Sequence, residues 1–392
     1  MIDGACRTPQ TDPEFGVCGD DGIAVRNSAG TGGANVIRDC EVTGAFDKGI
    51  KVSDFGVARV ERSHVYGNRD GGLQATLSGM LTAGENLVED NLGTTSANGI
   101  ATNGPAVGSN LPARLDTRGN ICRGNALRGI SIRNLSEATL RDDYLCGNSR
   151  TSPGFGLAIL DIGRPVADIT IAGVASVYNG GGLAITGASS ADLGGKGSPG
   201  NNVFAFNGAT GQTSAANVQN HSAQVIAATN NQWEHCGRGW ICDEAAIRQA
   251  DVFSATGAGA VTISPSQPHH RRSPPTITAA VPSFAAAGEI VRLYGSGFDA
   301  IDGNGPEASC ETIEELNTCR PRRGNCVFID RQPVEVIAVT PTMLVIRAPF
   351  TCVRPVTIAV RTKYARGTAR FPFCAPAETT DGSGVPFTPR GD

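Results

Sequence analysis

The sequence predicts an all-β protein in two parts: a solenoid of short parallel strands, followed by an antiparallel β-sandwich. Three observations carry that reading. A Gly followed by Ile or Leu returns at Gly22-Ile23, Gly49-Ile50, Gly72-Leu73, Gly99-Ile100, Gly129-Ile130, Gly156-Leu157 and Gly182-Leu183, at intervals of 23 to 30 residues. An Asn closes a second phrase between those markers, from Ser63 to Asn68, Asn86 to Asn91, Asn120 to Asn125, Asp143 to Asn148 and Asn202 to Asn207, with a divergent copy ending at Asn179. After residue 274 the repeat stops, and short alternating strands separated by turns take its place.

Two markers in fixed order make a repeat, and a period in this range means a solenoid. Alternation decides its kind. Behind each Gly the pairs Ile23/Val25, Ile50/Val52, Leu73/Ala75, Ile130/Ile132, Leu157/Ile159 and Leu183/Ile185 are apolar, with Ala24, Lys51, Gln74, Ser131, Ala158 and Ala184 between them. A period of two belongs to a strand, not to a helix. Val65, Val88, Cys122, Leu145, Ser176 and Phe204 stand three residues before each closing Asn and form one inward column. Gly and Asn tolerate the left-handed backbone of a sharp corner. Coils stacked about 4.8 Å apart bury a continuous cylinder and let Asn side chains bond up the stack.

Taken in order, residues 1–19 are an opening segment that Cys6 and Cys18 can close. Ile2-Asp-Gly reads like the inside of an earlier coil, so coils and an export signal are expected upstream of Met1. Ala101 to Ala113 and Gly187 to Gly200, rich in Gly, Pro and Ser, are expected to project as loops. An open solenoid end needs a cap. Trp233, Ile247, Val252 and Phe253 suit one, with Val261 to Pro265 as a last strand, so that the solenoid spans 1–264. Residues 265–274 are a Pro-rich linker, and its His269, His270, Arg271 and Arg272 are too few to close a metal shell. Strand-like stretches then run through 275–283, 288–298, 326–349 and 356–361, giving a sandwich over 275–374 and a disordered tail over 375–392.

The repeat resembles the right-handed parallel β-helix, the pectin-lyase-like architecture of pectate lyases and polygalacturonases. The later segment is similar to the IPT/TIG domain, an immunoglobulin-like module. Its opening prolines, the phrase Gly288-Glu-Ile-Val-Arg-Leu-Tyr-Gly-Ser-Gly-Phe298 and a strand closing in Ala348-Pro349 match that family. The insertion Asp299 to Asn325, with Cys310 and Cys319, departs from it. Together they imply a right-handed parallel β-helix solenoid plus a C-terminal Ig-like β-sandwich.

Composition narrows the function. The chain has 392 residues, and with 51 Gly, 22 Pro and 18% charged residues it suits many turns rather than long surface helices. Residues 1–264 carry 19 Lys+Arg against 25 Asp+Glu, and residues 265–392 carry 14 against 12. Neither balance suggests nucleic acid. No apolar run reaches the length of a membrane span. Twelve cysteines, with Cys6/Cys18, Cys236/Cys242 and Cys310/Cys319 as close pairs, point to disulfides and an extracellular or cell-surface setting. Cys122, in the inward column, reads as a small core residue.

Two carboxylate sets invite chemistry. Asp20-Asp21 matches the Asp-Asp phrase of polygalacturonase-like enzymes, and paired carboxylates are what general acid and base roles need. Asp47-Lys48-Gly49 stands where their His-Gly would follow and Arg59-Val-Glu61 stands for their Arg-x-Lys, so the set is incomplete; Asp before Gly is also ordinary turn chemistry. Resemblance to pectate lyases implies Ca²⁺ held by carboxylates with an Arg or Lys base. Glu61, Arg62, Asp116, Arg118, Arg141, Asp142 and Asp143 are expected along one lateral face, where they can bind a ligand, hold Ca²⁺ or simply pair with one another. Gly180-Gly-Gly is a corner, and no other cofactor, phosphate-loop or metal motif emerges. The leading expectation is a β-helix that binds polysaccharide or another surface without catalysis, its TIG module serving as spacer or adhesion domain. The alternatives are a polysaccharide lyase or glycoside hydrolase, and a structural cell-envelope repeat.

Overall fold

The computed structural model describes residues 2–3, 21–26, 34–93, 96–105, 110–148, 154–164, 166, 168–195, 197–208, 217–236, 242–267, 274–298, 325–330, 332–351, 354–362 and 368–374. Its first part is a parallel solenoid with sheets of nine, eight and seven strands, each strand pairing with its equivalent one coil away. The Gly-marked strands, such as Lys48–Ser53, Gly71–Thr76 and Arg128–Arg133, make the nine-stranded sheet. Ile23, Ile50, Leu73, Ile100, Ile130, Leu157 and Leu183 are register partners there, and Val218 and Val252 continue the column. Strands such as His64–Tyr66, ahead of the marker Asn, make the eight-stranded sheet. Its column runs Val42, Val65, Val88, Cys122, Leu145, Ser176, Phe204 and Trp233, all buried. Ile2–Asp3 lies parallel to Ile37 and Arg38 at the edge of the seven-stranded sheet.

Asparagines close two corners by bonding coil to coil. Asn68, Asn91, Asn125, Asn148, Asn179, Asn207 and Asn217 pass an amide bond up the stack at 2.7 to 3.1 Å. A second ladder runs Asn86 to Asn120 to Asp143, and higher up Asn202 to Asn231. These side chains replace the backbone pairing that a corner interrupts, so buried N–H groups keep partners.

The two expected loops are smaller than their composition suggests. Strands Asn98–Asn103 and Ala113–Arg118 claim both ends of the first, leaving 104–112. The second is part of the stack: Leu193 is in the core and Asp192 bridges Thr170 and Ala227. Here side chains supply the order that Gly and Ser cannot. The Asp192 carboxylate accepts from the backbone N–H of Gly194, Gly197 and Ser198, and Ser189 Oγ accepts from Val166.

At the C-terminal end of the stack Trp233 and Ile247 close the core. The helix Glu244–Ala250 starts at Asp243, whose carboxylate accepts from the N–H of Ala245 and Ala246. Val252–Ser254 adds the ninth strand, and Val261–Thr262 pairs with Ile226–Ala227. Cys236 and Cys242 are disulfide-bonded, with Cα atoms 4.3 Å apart. Cys146 and Cys374 are also in disulfides, which their spacing did not flag, and Cys122 is a buried free thiol. Cys6, Cys18, Cys310, Cys319, the linker residues 268–273 and the tail 375–392 lie outside the described residues.

The second part has two four-stranded antiparallel sheets. One orders Thr276–Val281, Ile290–Ser296, Met343–Arg347 and Val336–Val339; the other orders Gln332–Val334, Asn325–Ile329, Val356–Thr362 and Ala369–Phe373. Val291, Leu293, Val327, Leu344, Ile346, Ile358 and Val360 share the core between them. The strand Ala369–Phe373 was not foreseen.

The first of these sheets packs on the outer face of the eight-stranded sheet. Tyr294, Ala338, Met343 and Val345 cluster with Ile121, and Val339 lies on the patch made by Cys146, Ala175, Val177, Val203 and Ala205. Polar contacts fix the register: buried Arg292 Nε donates to Gly119 O at 2.9 Å, Tyr294 OH donates to Glu85 at 3.1 Å, and the Thr342 hydroxyl donates to Asp142. Gly119 has φ +66°, and a Cβ there would stand 2.4 Å from the Tyr294 hydroxyl, so both backbone and neighbour require glycine.

Candidate functional site

The expected lateral face divides into three environments. Register places Glu61, Arg118 and Arg141 in one column at the edge of the seven-stranded sheet, with Asp116 two residues inboard. These charges pair locally: Arg59 holds Glu61, and Arg141 reaches Asp116 at 2.8 Å. Arg62 and Asp142 form the adjoining left-handed corner. Arg62 bonds Asp39, while Asp142 accepts from Thr342 and has Arg118 at 3.8 Å; the Arg118 guanidinium also lies 4.8 Å over the Tyr294 ring. Burial raises the Asp142 pKa, the Thr342 bond opposing it.

Asp143 is not on that face. Its side chain is turned inward as a rung of the second ladder, where it accepts from Asn120 N at 2.8 Å, Asn120 Nδ2 at 2.9 Å and the Thr117 hydroxyl. Burial pushes its pKa up to about 7 despite those bonds. A pair adjacent in sequence is therefore split between surface and core by one corner residue.

Of Asp20-Asp21, Asp20 lies outside the described residues. Asp21 stands at the start of the nine-stranded sheet, its side chain only 6% exposed, with Lys51 at 3.4 Å and Arg26 at 3.9 Å. Burial and a hydrogen bond to Asp47 raise its pKa. Burial also works to raise Asp47, but bonds from Lys48 and Lys51 outweigh it and hold it well below the carboxylate range. Lys48 further bonds Asp70, which accepts from Ser96 Oγ at 2.6 Å. Both carboxylates lie on Lys51 Nζ, Asp21 Oδ2 at 3.4 Å and Asp47 Oδ2 at 3.0 Å, while Asp21 Oδ1 is buried without a hydrogen-bond partner among the described residues. A trace of this cluster is visible in the sequence, since Lys51 and Asp47-Lys48 break an otherwise small and polar-neutral pattern.

The outer face of the same sheet carries a line of small residues between larger ones, here called the trough, that the sequence reading missed. Its outward column is Lys51, Gln74, Ala101, Ser131, Ala158, Ala184, Gln219 and Phe253. The middle four are small, and although they face outward none is more than 3% exposed. Lys48, Gly71, Asn98, Arg128 and Phe155 flank the column on one side, with Asn103, Arg133 and Leu160 on the other. Arg133 Nε donates to Ser131 Oγ at 3.1 Å. Arg128 Nε and Nη1 are buried without a hydrogen-bond partner, and so is Oδ1 of Asn98, its neighbour in register. Burial, and then Arg133, lower the Arg128 pKa to about 10. Farther along the face the rings of His221 and Phe253 lie 5.3 Å apart. The signal was present in sequence as a run of Ala and Ser at outward positions between Arg128 and Arg133.

One group among the described residues has the make-up of a cation site, namely Glu234, His235 and Asp251. Its oxygens are engaged. Asp251 accepts from Asn217 Nδ2, His235 N and His235 Nδ1, and Glu234 accepts from Phe206 N and Asn217 Nδ2. The group terminates the first ladder.

Residues 13–193 match the family model described as right handed beta helix region. The repeat region is a parallel β-helix, and the match is to the right-handed kind. A solved structure described as the crystal structure of the Agl-KA catalytic domain is similar at 14% identity and TM-score 0.31, over 62% of this chain and 52% of that one. The chain thus spans about half the length of that structure. No curated protein matches the chain.

Proposed function

We propose that this is an extracellular or cell-surface protein that binds polysaccharide along the outer face of its nine-stranded sheet. The observation that carries the reading is the trough: a nearly buried floor of Ala101, Ser131, Ala158 and Ala184, bordered by Asn98, Arg128 and Arg133. A floor of small residues repeating at the strand spacing of about 4.8 Å suits an extended polymer lying across successive coils. Polar side chains at its borders suit hydroxyl-rich units, and His221 with Phe253 offers a ring to stack on. The disulfide Cys236–Cys242 supports an oxidising compartment.

The C-terminal module is read as an IPT/TIG-type domain. Gly288 to Phe298 supports this, its strand Ile290–Ser296 ending in Gly297 at φ +75° and buried Phe298. Packed as it is on the β-helix, it serves as an attached partner of the coils rather than a free spacer.

Glycan-array binding by the intact chain tests the proposal. Gln74→Trp and Gln219→Trp, at partly exposed positions of the same outward column, should obstruct the face and weaken that binding; undiminished binding would place the ligand elsewhere. A second reading, a carbohydrate-active enzyme, has Asp21, whose pKa burial raises, as its candidate general acid. A Ca²⁺-dependent lyase draws less support, because Glu61, Asp116 and Asp142 each face an arginine and leave few oxygens for a shell of six to eight. New reducing ends from any glycan, lost in Asp21→Asn, would establish the enzyme reading over binding alone.

A further inference from the structure

We propose that Arg128, Asn98, Ser131 and Arg133 form an anion subsite in this trough, which takes a carboxylate or sulfate group with a hydroxyl beside it. The inference rests on the reading of the trough as a polysaccharide surface and adds the charge of the polymer. Among the described residues none bonds Arg128 Nε or Nη1, which are both buried. Burying guanidinium N–H groups without a partner is costly, and a like charge at Arg133 adds to it. Asp70, which acts electrostatically on Arg133, is already bonded to Lys48 and Ser96.

The unmatched atoms also complement a ligand in kind. An arginine grips two oxygens of a carboxylate or sulfate side-on through Nε and Nη2 or end-on through Nη1 and Nη2, and the unbonded Nε and Nη1 of Arg128 each supply one tine of such a fork. Asn98, 2% exposed, gives its amide N–H to Ser96 O and keeps Oδ1 unbonded, an acceptor ready for a hydroxyl. Ser131 Oγ accepts from Arg133 and so has its own O–H to donate. Asn98 and Arg128 are register partners and are not bonded to each other, which leaves donors and an acceptor side by side. Hydroxyls of a neutral glycan can accept from these N–H groups, but only an anionic group also offsets the guanidinium charge.

Affinity electrophoresis of the intact protein through gels containing polygalacturonate, dextran sulfate or plain dextran tests the subsite. Retardation by polygalacturonate, by dextran sulfate or by both is expected, and its distribution tells carboxylate from sulfate. Arg128→Met should weaken that binding at least tenfold while melting at or above the wild-type temperature, since it removes an unpaired charge. Arg59→Met, on the seven-stranded sheet, serves as the control for net charge and should bind as wild type. Equal weakening by both variants, or full binding by Arg128→Met, overturns the subsite. Plain dextran binding that Arg128→Met leaves intact also overturns it while the polysaccharide reading stands. Retardation by none of the three polymers overturns the subsite, and silence of the glycan array as well would remove the reading beneath it.

Discussion

Replacing Asp143 by Asn should stabilise the protein at alkaline pH, although it deletes a charge and three charge-assisted contacts. Asp143 holds a ladder position that Asn86 and Asn120 hold on the preceding coils, and burial lifts its pKa from 3.8 to about 7. For an acid, a raised folded-state value means that the folded chain keeps a proton the unfolded chain has released. Its contribution to stability therefore falls as pH rises from about 4, and the loss is complete above about 7. At about 1.4 kcal/mol per pH unit the full loss is about 4 kcal/mol. Asn keeps an oxygen for Asn120 and offers an amide to the Thr117 hydroxyl, so the variant should escape that loss. Thermal melts followed by circular dichroism at pH 5 and pH 8 read the effect. Wild type should lose more stability between them than Asp143→Asn, and the variant should melt higher at pH 8 by several degrees. A variant less stable than wild type at pH 8 would mean that the fold stabilises the ionised carboxylate, and the assignment of Asp143 as a neutral rung would fail.

Two other substitutions probe the frame. Asn125→Ala orphans groups on three coils, because Asn125 donates to Val88 O and Asn148 Oδ1 and accepts from Asn91. At about 1–3 kcal/mol per buried orphan it should cost several kcal/mol in a denaturant titration, and a loss under about 1 kcal/mol would show that the ladder contributes little. Gly119→Ala should cost about 1–2 kcal/mol for its left-handed backbone alone, and more for the close approach of the Tyr294 hydroxyl. Pairing it with Tyr294→Phe should recover part of that cost, whereas simple additivity would show that the ring does not press on this corner.

Much of the β-helix was legible because its signals are local and recur. Each Gly-Ile or Gly-Leu marker proved to be a register column, and each closing Asn a rung, since a stack in register forces equivalent residues to face equivalent places. What recurrence could not show was the fate of a single position. Asp142 and Asp143 look alike in sequence, and only the left-handed φ of Asp142 sends one outward and the other in. The Gly187 to Gly200 stretch read as a loop because its order comes from the Asp192 and Ser189 side chains rather than from strand-forming residues. Arg128 was missed for the opposite reason: nothing about one arginine announces that its partner is absent. The covered face of the eight-stranded sheet did leave a trace, since Val203-Phe204-Ala205 is apolar throughout, as a strand buried on both sides must be.

The seam between the two parts changes how the molecule should come apart. A solenoid whose coils touch only their neighbours can fray from either end, one coil at a time. Here Glu85, Gly119, Asp142 and Val177, on four successive turns, are tied to one sheet formed by residues far along the chain. That sheet acts as a splint: peeling any of those turns away requires shearing it off the others. The middle of the stack is thereby held as one cooperative block, leaving the trough on the adjoining sheet a stiff bed whose spacing stays fixed while the ends of the coil breathe.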